Sequence, residues 1–301
     1  CWGRLPTRHF FAHIRVKRAL AQGYPIDYNL YHFVYPCVTA ISALHWRNLP
    51  RMGAMSYTRL PATAGDGMPA HRPYYPPLPT YYRDVRFQLI YFRADPARLR
   101  AYLPEPLEPA ADGLCVAFGI DVPFSSSYGP FHEAGLQIKV DFRGQSGFYN
   151  SHLYLDNVPA ICSGRERWGA PKEYAEVRIE QHHNLLVTQT IKDGVPIMTL
   201  TSELGAPTTP DALIPMFPSY RLKLIPRADG PGPAIKQLVT AAPSDATTHL
   251  LTQGSGTVSF AATANSDLRA FAPLAEVTAF YQIASYTESY GEIVYDYLHD
   301  S

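Results

Sequence analysis

At 301 residues the chain is long enough for one large β or α/β domain or two ordinary ones, and 46% hydrophobic residues, with 21 Tyr, 14 Phe and 3 Trp, exclude a mainly disordered protein. The 26 Lys plus Arg balance the 26 Asp plus Glu, which gives no reason to expect a nucleic-acid partner. Four cysteines without a CxxC pair argue against a disulfide scaffold or a metal knuckle, and make a reducing, cytoplasmic compartment the default.

The zero net charge is unevenly distributed. Residues 1–67 carry eight basic side chains against Asp27 and Asp66, and they show no sustained helical or alternating period. Such a segment can be a targeting sequence, a small basic module, or upstream sequence joined to the gene, and the last is the expectation here. Residues 1–70 are then a basic extension outside the fold, Met52, Met55 and Met68 are candidate starts, and residues 71–301 form one β domain. The apolar run from Phe33 to Trp46 is interrupted by Pro36 and falls short of the roughly 20 residues a bilayer requires, so no membrane partner is expected.

From about residue 80 the pattern becomes alternation of β-branched and aromatic residues bounded by turn residues. Strands are predicted over 85–94, 114–124, 136–144 and 148–156. The run 185–204 reads as a hairpin, because Asp193-Gly194 supplies the positive φ of a tight primed turn. Two more hairpins are expected, one joining 220–226 to 234–240 and one joining 247–253 to 257–263. Helical signal is sparse: Pro96–Leu103 opens behind Asp95 as N-cap, and Ser266–Leu274 is a second short candidate. A mainly β fold with a few short helices follows, and closure into a barrel would remove exposed strand edges.

Common catalytic signatures such as GxGxxG, HExxH and GxSxG are absent. His182 and His183 are adjacent, so on a strand they point to opposite faces and suit a solvated turn better than one metal ion. Asp121 and Glu133 are candidates for acid and base work, although most strand carboxylates are surface charges. The most informative stretch is residues 154–180, YLDNVPAICSGRERWGAPKEYAEVRIE, where Trp168, Ala170 and Pro171 stand just before Lys172. A lysine at the ordinary pKa of about 10.4 is almost wholly charged at neutral pH and a poor nucleophile, whereas apolar surroundings favour the neutral amine. The bland alternative is a lysine lying over apolar surface with its ammonium in water.

This stretch resembles the lysine motif of the acetoacetate decarboxylase family, with its YLDN-Pro-Ala lead-in and its Gly-Arg-Glu … Pro-Lys run. YLPEPLE (102–108), YRLKLIPRADG (220–230) and IVYDYL (293–298) extend the resemblance over roughly residues 80–298. It implies a cone-like closed β-barrel with surrounding antiparallel strands, a Schiff-base lysine inside, no cofactor, a small keto-acid substrate and a homo-oligomer. Carried onto this chain, it makes Lys172 the imine-forming lysine and Glu133 a pocket carboxylate that handles a proton. Arg165 and Glu166 become a buried ion pair supporting the loop, and Arg86, with Arg83 as the alternative, a group for the substrate carboxylate. Trp168, with Tyr220 and other tyrosines, would give the pocket an aromatic lining.

Two departures from the family pattern stand out. Glu173 occupies the place of a second lysine, and Gly119 that of another pocket glutamate, for which Asp121 would substitute. The resemblance implies decarboxylation of a β-keto acid such as acetoacetate. The departures keep open an aldolase-dehydratase acting on pyruvate and an aldehyde, and a binding barrel without catalysis is a third reading.

Overall fold

The computed structural model describes residues 59–63 and 65–300, so most of the basic extension lies outside the described residues, as do the Phe33–Trp46 run and the candidate starts Met52 and Met55. The compact unit that carries the fold begins at Pro61. Among the described residues no helix is long and apolar enough to cross a membrane.

The first half contributes β1 (Thr80–Arg93), β2 (Glu108–Pro109), β3 (Leu114–Val122), β4 (Phe124–Ser125), β5 (Phe131–Phe142), β6 (Gln145–Leu155), β7 (Lys172–Tyr174) and β8 (Glu176–His182). The second half adds β9 (Leu185–Lys192), β10 (Val195–Glu203), β11 (Ala206–Pro207), β12 (Ser219–Pro226) and β13 (Pro233–Thr240). It ends with β14 (Ser244–Gly254), β15 (Gly256–Phe260), β16 (Ala275–Glu288) and β17 (Glu292–Asp296). Thirteen strands form one sheet whose main path runs β11-β14-β16-β1-β3-β5-β6-β12-β13-β17, with β2, β4 and β7 on its flanks. The other four form a small sheet in the order β15-β10-β9-β8.

Side-chain alternation divides the large sheet's work between its faces. Ile90 and Phe92 of β1, Ala117 of β3 and Leu136 of β5 pack against Ile197, Met198 and Leu200 of the small sheet in the main core. The residues between them, including Leu89 and Tyr91 of β1 and Val116 and Phe118 of β3, gather on the opposite face with Phe148 and Leu153 of β6. Because both faces are covered, β1 is buried without a break from Gln88 to Phe92.

The mainly β prediction holds, but no sheet closes into a barrel. The large ladder ends at β11 on one side and β17 on the other. Closure requires the outermost strands to meet in a consistent stagger. Here the edges are a two-residue and a five-residue strand, and short edges are another way of blunting unpaired backbone.

The 185–204 hairpin forms as read, with Asp193 at φ 53° and Gly194 at φ 76°, and β12 pairs with β13. The third hairpin does not form. Only Ser255 separates β14 from β15, too little for a two-residue turn, and the chain crosses there from the large sheet to the small one. The expected helix at Ser266–Leu274 is a single 3-10 turn, Arg269–Phe271. The first helix, α1 (Pro96–Leu99), is capped as expected by the Asp95 carboxylate, which accepts from Ala97 N.

Candidate active site

The loop that presents Lys172 is built by capping and by two glycines. Asn157 caps α2 (Val158–Ser163) by accepting from Ala160 N at 3.0 Å, and Pro159 sits in the first turn. The helix then widens into a π-turn over Gly164–Trp168 and stops at Gly169, whose φ of 69° closes it in the left-handed region. A side chain at Gly169 would also strike the Lys223 backbone at 2.2 Å, so only glycine fits. Ala170 N returns to Gly164 O at 3.0 Å, and the chain enters β7 at Lys172, parallel to β6 with Lys172 opposite Leu153.

The lysine stem runs across Gly164: a Cβ there would lie 2.6 Å from Lys172 Cδ and 2.8 Å from Cε. The amine ends in a cavity of about 290 Å³ on the face of the large sheet turned away from the small one. Its Nζ donates to Glu133 Oε2 at 3.1 Å, and the two side chains are only 15% and 12% exposed. This is a sequestered amine with a proton acceptor in contact, not an ammonium lying in water.

Four further polar groups complete the cluster: Arg221 from β12, Tyr82 from β1, and Tyr286 and Glu288 from β16. Glu288 feels the charges of Lys172 and Arg221 although four strands separate β16 from β12 in the ladder, so the open sheet curls around the cavity. Burial pushes the Glu288 carboxyl up, outweighing the two nearby cations and the hydrogen bond it accepts from the Tyr82 hydroxyl at 3.1 Å. Burial also raises the phenols of Tyr82 and Tyr286 well above their ordinary value, which keeps them neutral donors. Burial thus disfavours a second carboxylate charge beside Glu133, and Lys172 and Arg221 bring two cationic side chains to a cavity that a monocarboxylate can enter.

Arg221 is the conspicuous group. Its guanidinium is buried, desolvation lowers its pKa, and its Nη1 has no hydrogen-bond partner among the described residues. Gln137 Oε1, also in the cavity wall, is unpaired as well, although Gln137 Nε2 donates to Asn150 Oδ1 at 2.9 Å and Asn150 Nδ2 in turn to Ser219 Oγ at 2.7 Å. An orphaned buried donor and acceptor carry a desolvation cost, which a polar ligand would relieve.

The sequence-predicted residues separate cleanly. Lys172, Glu133 and Trp168 line this cavity. Arg86 and Asp121 do not: they pair with each other at 2.6 Å beside a separate groove of about 160 Å³. Arg86 sits between Val85 and Phe87 on β1, and Phe87 faces the cavity, so alternation turns Arg86 the other way. Asp121 is likewise opposite in parity to Ile120, which is Glu133's cross-strand neighbour, and cannot form a carboxylate pair with Glu133. Arg83 donates to Tyr82 O at 2.8 Å and lies over the Tyr81 ring. Tyr220 packs into the main core against Phe142 and not into the cavity.

Arg165 and Glu166 hold the loop, but not as a buried ion pair. Exposed Arg165 donates to Lys172 O at 3.1 Å, while Glu166 accepts from the Tyr75 hydroxyl, and Arg167 stacks over the Tyr75 ring. Glu173 points away from the cavity, 49% exposed, and pairs with Lys192. Gly119 faces the small sheet, where a Cβ would meet Thr188 Oγ1 at 2.3 Å. Neither of these departures touches the cavity. His182 pairs with Glu180, and His183 lies in a turn at φ 57°.

Residues 67–298 match the family model described as acetoacetate decarboxylase. The chain is 32% identical over 236 residues to an acetoacetate decarboxylase of Chromobacterium violaceum, covering 77% of this chain and 94% of that one. It is 34% identical over 236 residues to the Ralstonia nicotianae protein of the same name, with the same coverage. The fold is similar to the crystal structure of acetoacetate decarboxylase from Legionella pneumophila, with a TM-score of 0.72 at 25% identity, over 80% of this chain and all of that one.

Proposed function

Because this chain belongs to the acetoacetate decarboxylase family it is a carbon–carbon lyase, and we propose that it decarboxylates a β-keto acid through an imine on Lys172. The observation that carries this reading is the contact between the largely buried Lys172 amine and the Glu133 carboxylate inside a cavity that also holds Arg221.

Glu133 takes a proton from Nζ, and the free amine adds to the substrate ketone. Glu133 hands that proton to the carbinolamine hydroxyl, which leaves as water and gives a protonated imine with Glu133 ionised again. The bond to the carboxylate then breaks, its electron pair moves into the imine, and carbon dioxide departs from the resulting enamine. Glu133, reprotonated from solvent, gives a proton to the enamine carbon, and water hydrolyses the imine to release the ketone and the amine.

Arg221 takes the role the sequence reading gave to Arg86: its unpaired Nη1 receives the substrate carboxylate before cleavage. That contact weakens as the carboxylate becomes neutral carbon dioxide, so it contributes to binding more than to the chemical step. Arg221→Gln is therefore expected to raise KM about 30-fold or more while kcat changes less. An unchanged KM would remove Arg221 from substrate binding.

The Lys172 stem needs the space Gly164 leaves, so Gly164→Ala is expected to displace the amine and lower kcat by about 100-fold with little loss of fold, measured by turnover and thermal melting. Wild-type turnover in that variant would show that the glycine does not set the amine's position.

The aldolase-dehydratase reading drew its support from Glu173 and Gly119, and both lie outside the cavity. Carbon dioxide release from acetoacetate, run beside condensation of pyruvate with an aldehyde, tests the choice. Release above the spontaneous rate without condensation is expected, and condensation alone would overturn the decarboxylase reading.

A further inference from the structure

The cavity extends well beyond the reacting groups, and the extension is apolar as far as β1, where Gln282 of β16 lies opposite Phe87. Two cross-strand rows leave the reaction centre along its floor. Glu133 on β5 lies opposite Ile120 on β3, which lies opposite Phe87 on β1. Lys172 lies opposite Leu153, Leu153 opposite Gly135, Gly135 opposite Phe118, and Phe118 opposite Leu89. With strands about 4.8 Å apart, the floor past Glu133 is about 10 Å wide and carries no polar side chain in either row as far as β1. Met216 and Phe217, from the segment leading into β12, line the same space, and Phe217 is 45% exposed where that lining meets solvent.

Acetoacetate ends in a single methyl group beyond its ketone and would leave most of this floor uncovered. At about 30 Å³ for each water-sized group, a cavity of about 290 Å³ takes roughly ten such groups. The charged groups stand at the other end, on β5, β7, β12 and the end of β16, so carboxylate and ketone have their places there and the remainder of the substrate must lie on the floor.

From this geometry we infer, on the premise of the imine reading, that the preferred substrate is a 3-oxo acid with a linear alkyl tail, of the length of 3-oxohexanoate or 3-oxooctanoate. The tail runs from Lys172 across Phe118 and Ile120 to Leu89 and Phe87.

The test is kcat/KM for carbon dioxide release across acetoacetate, 3-oxopentanoate, 3-oxohexanoate and 3-oxooctanoate, corrected for the spontaneous reaction. Each methylene that leaves water for this floor is expected to raise kcat/KM by about fourfold, so 3-oxohexanoate should exceed acetoacetate by about tenfold or more. Ile120→Trp, which fills the floor beside Glu133, should erase that ratio, and its folding is checked by melting. A flat or falling series in the unaltered protein overturns the inference. Borohydride trapping of each acid in the same samples keeps the two levels apart: adducts with a flat series leave the imine reading standing, and no adduct with any acid overturns both.

Discussion

Lys172→Ala is expected to lower kcat/KM for the keto acid by about 10⁴-fold or more, because a single side chain supplies the bond through which every later step runs. Lys172→Arg should fail equally: it preserves the positive charge and much of the stem, but a guanidinium does not add to a ketone at neutral pH. A variant that lost activity only through a missing charge would be rescued by Arg, so the pair of substitutions separates nucleophile from electrostatic partner. Lys192→Ala removes the other ammonium close to β7, the one that pairs with Glu173 outside the cavity. That pair lies outside the cavity with Glu173 half-exposed, so its ammonium does not reach the reacting atoms and kcat should stay within about fivefold. Equal losses in the Lys172 and Lys192 variants would mean that the whole loop, and not one amine, had been disturbed.

Glu133→Gln is expected to lower kcat by about 10² to 10⁴-fold, the range of positioned proton transfer. Glutamine keeps the shape beside Lys172 Nζ but removes the basic carboxylate that lies 3.1 Å away and takes the proton. Glu133 frees the amine for imine formation and later gives a proton to the enamine carbon. Solvent deuterium should therefore enter the product ketone more slowly in the variant, with substrate binding much less affected. Glu133→Asp, which withdraws the carboxylate by one methylene, should recover part of the loss. A Gln variant with ordinary turnover would leave the Lys172–Glu133 contact as a structural ion pair.

Much of this molecule was readable because a strand's alternation reports its two environments. Ile90 and Phe92 against Leu89 and Tyr91 gave the strand at 85–94, and the positive φ of Asp193 and Gly194 gave its clearest hairpin. The barrel was misjudged because closure depends on which edges meet, and no residue pattern states that the ladder stops at β11 and β17. The crossing at Gly254-Ser255-Gly256 reads as a turn in the sequence because glycine serves both uses.

Lys172 was found through its surroundings in the chain, whereas Arg221 was passed over within a motif already quoted. A signal was present there: Tyr220 and Arg221 are neighbours on β12, so a tyrosine in the core commits the arginine to the other face. The same parity argument applied to Phe87 would have excluded Arg86. Glu288 had no such cue, because it reaches the cavity only through the curl of the sheet that brings the end of β16 toward β12.

Borohydride reduction in the presence of acetoacetate, followed by peptide mass mapping, addresses the reactive amine itself. A reduced adduct confined to the peptide containing Lys172, and absent in Lys172→Ala, is the predicted result. Turnover of acetoacetate with no adduct at Lys172, or an adduct that persists elsewhere in the Lys172→Ala chain with activity intact, would contradict the account.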